Sequence, residues 1–189
     1  MLSGSARRSD TRRATEFAEF AEFARTHTSS LYGTARLLTG SRQAAEDLLQ
    51  DVFVTVYPRW DRVRAADNPV AYVRRAVVNA FISSTRRSAG RESSVDPAMV
   101  ASLVPSSHDH ADAVVAAGTV GPALATLSDR QRAAVVLRYF HSCTDVEIAE
   151  ALGCRRGTAR SLVSRGLELL RRSLTAPEVA DRPTREDHR

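Results

Sequence analysis

Hydrophobic residues recur at helical spacing in the first part of the chain. Phe17, Phe20 and Phe23 lie three residues apart with glutamates beside them, which predicts a helix with a broad apolar stripe. We expect this helix to run to Leu38, because Gly40 follows and glycine commonly ends helices. The chain therefore opens its first folded part with a long amphipathic helix.

Two further helices follow in the same part of the chain. Ser41 is a suitable N-cap for a second helix through Tyr57, which Pro58 ends. A short polar stretch over residues 61–67 precedes Asn68 and Pro69, a typical N-cap and first-turn proline for a third helix to about Arg87.

Residues 88–112 break this helical pattern with glycine, prolines and a polar run, which predicts a linker. The second part begins with an alanine- and valine-rich helix near residues 111–127. Capping boxes at Ser128 and Thr144 then predict a helix to Phe140 and a short helix ending at Gly153. A last helix is expected from about residue 155 to residue 174.

The expected fold is therefore all-α, with two small helical domains joined by a flexible linker. We place the domains at residues 16–87 and 113–175, the linker at 88–112, and disordered ends at 1–15 and 176–189.

The short helix and the last helix together predict a helix-turn-helix, with Ala149 and Gly153 allowing a close crossing and a sharp turn. The first turns of such a second helix can enter a DNA major groove. A solvated basic face on an ordinary helical hairpin is the alternative. The exposed side is expected to carry Arg155, Arg156, Thr158, Arg160, Ser161, Ser164 and Arg165.

Composition supports a polyanionic partner, since the net charge is +5 and the sequence pI is about 10. All 27 basic residues are arginine, which the codon bias of a GC-rich genome would also produce. Two cysteines suit a reducing compartment, and the chain shows neither a signal peptide nor an apolar run long enough to span a membrane. A cytoplasmic protein without membrane insertion is expected.

Enzymatic chemistry finds little support in the sequence, which has no glycine-rich phosphate loop and no convincing pair of nucleophile and base. His108 and His110 lie in the predicted linker without nearby supporting ligands. His141, Cys143 and Cys154 could contribute to a zinc or redox site, but ordinary thiols are the favoured interpretation. We therefore expect no enzyme activity, no catalytic residue, no cofactor and no metal.

Three segments of the second part resemble region 4 of the extracytoplasmic-function (ECF) sigma factors, within the sigma-70 family of RNA polymerase sigma factors. They are residues 127–140 (LSDRQRAAVVLRYF), 147–154 (EIAEALGC) and 157–161 (GTARS). The small actinobacterial SigE-like group is the most similar. Response-regulator DNA-binding domains share part of this pattern, so the second part alone leaves a stand-alone helix-turn-helix regulator open.

The first part separates these alternatives, because such regulators lack its motifs. Residues 45–54 (AEDLLQDVFV) resemble the region 2 helix by which the family binds the clamp helices of the polymerase. Residues 60–61 and 68–79 (NPVAYVRRAVVN) resemble the stretch that melts and recognises the −10 promoter element.

The resemblance implies a sigma factor that binds core RNA polymerase and promoter DNA, commonly restrained by an anti-sigma factor. Polymerase binding would fall to Asp47, Leu48, Gln50, Asp51 and Phe53. The −10 element would be bound by Asp67, Asn68, Arg74, Arg75, Asn79, Arg86 and Arg87, and the −35 element by the seven residues of the last helix named above.

The chain departs from the common family pattern at Ser83, at Leu162 and at the paired arginines Arg155 and Arg156. These departures concern positions near the expected DNA contacts. We therefore predict the fold and the roles of the two parts, and no particular promoter sequence.

Overall fold

A computed structural model describes residues 3–84 and 120–175, with side chains from residue 12 onward. The predicted linker, the predicted carboxyl-terminal tail, His108, His110, Arg86 and Arg87 lie outside the described residues.

The first unit is built from four α-helices and one 3₁₀ turn within residues 3–84. They are α1 (Ser3–Thr39), α2 (Arg42–Val56), the 3₁₀ turn (Tyr57–Arg59), α3 (Trp60–Arg64) and α4 (Pro69–Ser84).

The second unit contains the four α-helices of residues 120–175, and no strand occurs in either described range, which confirms the all-α prediction. They are α5 (Val120–Ala125), α6 (Asp129–Phe140), α7 (Asp145–Leu152) and α8 (Arg156–Thr175). No helix in the described part of the chain is long and apolar enough to cross a membrane.

The start of the chain differs from the predicted disordered arm, because α1 already begins at Ser3. Arg12 supports this extension with hydrogen bonds to Glu16 one turn later, at 2.6 Å, and to Asp61 of α3, at 2.8 Å. These two contacts tie an arginine-rich stretch to the folded unit, which local composition did not reveal.

The polar stretch predicted over residues 61–67 also differs, since its first part is the helix α3. Trp60 and Val63 are buried in this short helix, so it packs on the core despite its three charged residues. Two apolar side chains three residues apart suffice to hold one turn of helix against the first unit.

Local signals set the ends of several helices as predicted. The Ser41 side chain accepts a hydrogen bond from the Ala44 amide at the start of α2. The Asn68 side chain accepts one from the Ala71 amide at 2.9 Å, ahead of Pro69 in α4. Gly40 adopts a left-handed φ of 72°, which glycine tolerates without a steric penalty.

An aromatic cluster fills the core of the first unit. Phe20 is fully buried and meets Phe53 and Trp60 edge to face, with ring centroids 5.6 and 5.4 Å apart. Such geometry places the positive edge of one ring against the negative face of another. The phenylalanine stripe of α1 thereby fixes α2 and α3 in place.

Close helix packing shapes the second unit. A Cβ atom added at Gly166 of α8 would lie 2.7 Å from Cγ2 of Val135 in α6. This glycine therefore allows α8 to approach α6, which in turn fixes how α8 presents its opposite side.

Candidate nucleic-acid interface

The helix-turn-helix is formed by α7 and α8, and its turn follows the predicted signals. The Glu147 side chain accepts a hydrogen bond from the Thr144 amide at 2.7 Å, and the Thr144 hydroxyl accepts one from the Glu147 amide at 3.3 Å. Gly153 ends α7 in the left-handed region with a φ of 57°. The chain therefore turns sharply into α8.

One side of α8 is buried and the other side faces solvent. Ala159, Val163 and Gly166 face the core, at the spacing of one helical stripe. All seven residues predicted for the −35 element are exposed. We call these residues the α8 polar face: Arg155, Arg156, Thr158, Arg160, Ser161, Ser164 and Arg165.

Arg160 is held by an ion pair within this exposed face. Its Nε lies 3.2 Å from Oδ2 of Asp145, the first residue of α7. Arg138 of α6 binds the other carboxylate oxygen of Asp145. The hydrogen bond from Arg160 and the charge of Arg138 hold the pKa of Asp145 below its usual value, so this carboxyl group stays ionised.

The described residues among those predicted for the −10 element are not all exposed. Asp67, Asn68, Arg75 and Asn79 are exposed at or near α4. Asn68 also caps α4 through its side-chain oxygen, so its orientation is fixed from within the unit. These four residues are available to a ligand.

Arg74 is half-buried and lies where the two units meet, so its predicted contact with the −10 element stays a prediction. Its charge, after burial as the larger cause, helps to lower the pKa of His141 to about 4. His141 also lies 2.8 Å from the Thr34 hydroxyl of α1, measured from Nε2 to Oγ1. Polar side chains from both units therefore join across this contact.

Arg132 provides the second link between the units, a role that no local sequence pattern indicates. Its Nη1 donates to the Leu38 carbonyl of α1 at 2.6 Å, while its Nε donates to the Leu124 carbonyl at 2.9 Å. The guanidinium also lies 5.7 Å from the ring centroid of Phe81 in α4. In sequence, Arg132 is one of many arginines with no distinguishing neighbour.

The five residues predicted for polymerase binding lie on two sides of α2. Leu48 and Phe53 are buried, with 7% and 0% exposure, so they pack in the core of the first unit and their part in polymerase binding stays a prediction. Helical spacing sends both side chains into the core with Leu49 and Val52.

Asp47 and Asp51 are exposed and Gln50 is half-buried, so these three residues form the acidic surface of α2. Partial burial and the neighbouring charge of Asp47 raise the pKa of Asp51, in that order of size. A cationic partner would relieve this repulsion between two carboxylates.

The cysteines and histidine considered for a zinc or redox site are not part of any group of three potential metal ligands in the described residues. Cys143 and Cys154 are free thiols, and burial raises the pKa of Cys143, which disfavours the reactive thiolate. Among the described residues, no group of three or more metal-ligating side chains could hold an ion.

The fold and site define the class as a helix-turn-helix DNA-binding protein with an additional helical unit before it. Family models for sigma-70 region 2 and sigma-70 region 4 match residues 23–91 and 123–172. The RNA polymerase sigma-E factor of Streptomyces avermitilis is 32% identical over 92% of this chain and 95% of its own length. This chain belongs to the sigma-70 family, among its ECF sigma factors.

Other relatives agree with this assignment. The sigma-E factor of Streptomyces coelicolor is 30% identical over 92% of the chain and 96% of its own length. The structure resembles the sigma factor RpoE of Bartonella quintana, solved with the anti-sigma factor NepR, with a TM-score of 0.60. That likeness has 24% identity over 84% of this chain and 98% of RpoE.

The shared family makes this chain an RNA polymerase sigma factor that acts in transcription initiation, and it is not an enzyme. The match over residues 23–91 disfavours the alternative of a stand-alone helix-turn-helix regulator, because such a regulator has no need of region 2.

Proposed function

We propose that the α8 polar face binds the −35 element as duplex DNA. The carrying observation is that all seven residues are exposed, six on α8 and Arg155 directly before it, while the other side of α8 is fixed against α6. Four arginines among them suit phosphates and guanine edges, and the first turns of α8 would lie deepest in the major groove.

We propose that the first unit binds the melted −10 strand. Asp67 and Asn68 would surround an extruded base, Asn79 would donate a hydrogen bond nearby, and Arg75 would bind the backbone, together with Arg86 and Arg87. Extraction of a base from the stack costs a few kcal/mol, which a pocket with hydrogen-bond donors offsets. Arg74 could join them only after the contact between the units opens.

We further propose that the acidic surface of α2 binds core RNA polymerase through a basic helix of the enzyme. Two exposed carboxylates on one helical face, with Gln50 beside them, match an arginine-bearing partner. Leu48 and Phe53 would support this surface from the core.

These assignments give each domain and the linker a separate role. Residues 16–87 would bind polymerase and the −10 element, residues 113–175 would bind the −35 element, and residues 88–112 would connect them. Such a protein acts beside the chromosome, in the cytoplasm. An anti-sigma factor would be a further partner, as NepR is for the structurally similar RpoE.

Transcription with purified core RNA polymerase over a promoter library tests this function. We expect new start sites when the chain is added, and co-purification of the chain with core enzyme. The variant D47R/D51R should lose that co-purification, whereas Glu22→Gln on α1 should keep it. Absence of both new start sites and core binding for the unaltered chain would contradict the proposal.

A further inference from the structure

Asp145 links three helices of the second unit through one carboxylate. Its side chain is 15% exposed, whereas the Arg160 side chain that it binds is 70% exposed. Arg138, 30% exposed, holds the opposite oxygen. The carboxylate is therefore a nearly buried anchor, fixed from behind by α6, for an arginine that reaches into solvent from α8.

The ion pair restrains an otherwise mobile side chain. A cavity of about 310 Å³ lies beside Arg160, with Arg138, Asp145 and Arg171 among its walls, so close packing does not confine the guanidinium. An exposed arginine in open space samples many rotamers, and fixing it on binding costs side-chain conformational entropy. Asp145 offsets part of this cost before DNA arrives.

Asp145 binds Arg160 through Nε, which leaves the two terminal nitrogens of the guanidinium available. The bond goes to Nε, and within the described residues the two terminal nitrogens make no hydrogen bond or ion pair. Those two nitrogens form the fork that donates to O6 and N7 of guanine. The geometry therefore orients Arg160 without consuming its base-reading donors.

We propose that Asp145 is a positioning residue that aims Arg160 at the −35 base pairs, and that it sets specificity without touching DNA. This inference rests on the proposed role of the α8 polar face. Because the carboxylate is negative, it also repels phosphates at close range. Affinity for unrelated DNA and discrimination at the promoter should therefore respond to Asp145 in opposite directions.

The test is a double-mutant cycle in the polymerase holoenzyme. Transcription is measured on a set of promoters in which each −35 position is replaced in turn by each of the other base pairs. Asp145→Asn keeps the side-chain shape and removes the charge. We expect about a fivefold loss of discrimination at the base pair that Arg160→Ala also affects, since a misaligned guanidinium weakens the bidentate contact that excludes the wrong base. Binding of unrelated DNA should stay equal or become tighter.

In the Arg160→Ala background, Asp145→Asn should change discrimination no further, because the residue it positions is absent. Asp145→Glu, which keeps the charge, should restore part of the discrimination. Glu150→Gln is the matched control, since it removes an exposed carboxylate from the same helix.

Independent, multiplying effects of the two substitutions, or an effect of Asp145→Asn at other base pairs, would overturn the positioning role. A fall in unrelated-DNA binding together with a lower melting temperature would overturn it in favour of a structural role. If Arg160→Ala itself leaves −35 selection unchanged, the proposed role of α8 fails, which is a separate result.

Discussion

The two units present their candidate residues in different ways. All seven −35 candidates of the second unit are exposed, six on α8 and Arg155 directly before it, whereas the first unit buries Leu48 and Phe53 and half-buries Arg74. Helical periodicity predicts the second set, and this periodicity separates buried from exposed positions. Resemblance over whole segments implies the first set, and such a resemblance includes core and surface residues together.

The largest expected effect tests whether Phe53 belongs to the core. Phe53→Ala should lower the free energy of unfolding by about 3–5 kcal/mol, because it removes a fully buried ring packed on Phe20. Chemical denaturation followed by circular dichroism measures this change. Asp51→Asn on the same helix should shift stability by less than about 0.5 kcal/mol. Equal stability of both variants would mean that Phe53 is not part of the core and is free to contact a partner.

A smaller effect tests the packing that orients α8. Gly166→Ala should destabilise the second unit by about 1–3 kcal/mol, because the new methyl group would lie against Val135. Gly157→Ala is the matched control, since nothing lies within 4 Å of a Cβ atom there. Differential scanning calorimetry should show a lower transition for the first variant alone. Identical transitions would mean that α8 does not need this close approach.

The smallest expected effect concerns the contact between the units. His141 has a pKa of about 4 in this contact and about 6.5 when solvated, so the folded contact favours the neutral ring. The contribution of neutral His141 to the stability of this contact is intact above pH 6.5, weakens as the pH falls, and is fully lost below about pH 4. Fluorophores on α1 and α8 should therefore move apart on average at pH 5 relative to pH 7.

Arg74→Ala provides the control for this titration. Removing the cation should raise the pKa of His141, by less than the full difference because burial is the larger cause. A nuclear magnetic resonance titration of the ring measures it. An unchanged His141 pKa near 6.5 in both proteins would show that the units do not make this contact in solution.

The helix ends were predictable from the sequence because they depend on interactions between residues close together in the chain. Ser41, Asn68, Thr144 and Gly153 act through atoms within a few residues, so their sequence neighbours suffice to identify helix ends. The helix at the start of the chain was missed because its support, Asp61, lies 49 residues away from Arg12.

Long-range partners also explain what the sequence missed in the site. Arg132 bonds a carbonyl 94 residues away, and His141 lies beside a hydroxyl 107 residues away. Asp145 was visible only as a residue of a capping box, because its pairing with Arg138 and Arg160 depends on how three helices pack. The sequence shows that these side chains are polar, but their partners can be seen only in the folded structure.

Separate −10 and −35 selection is the central claim, and transcription by holoenzyme on promoters mutated in one element at a time tests it most directly. Arg160→Ala should reduce discrimination at the −35 element and leave −10 discrimination unchanged, while Asn79→Ala should do the reverse. Arg172→Ala, near the far end of α8, is the control and should alter neither. Equal losses at both elements from either substitution, in a protein that still melts cooperatively, would contradict the account.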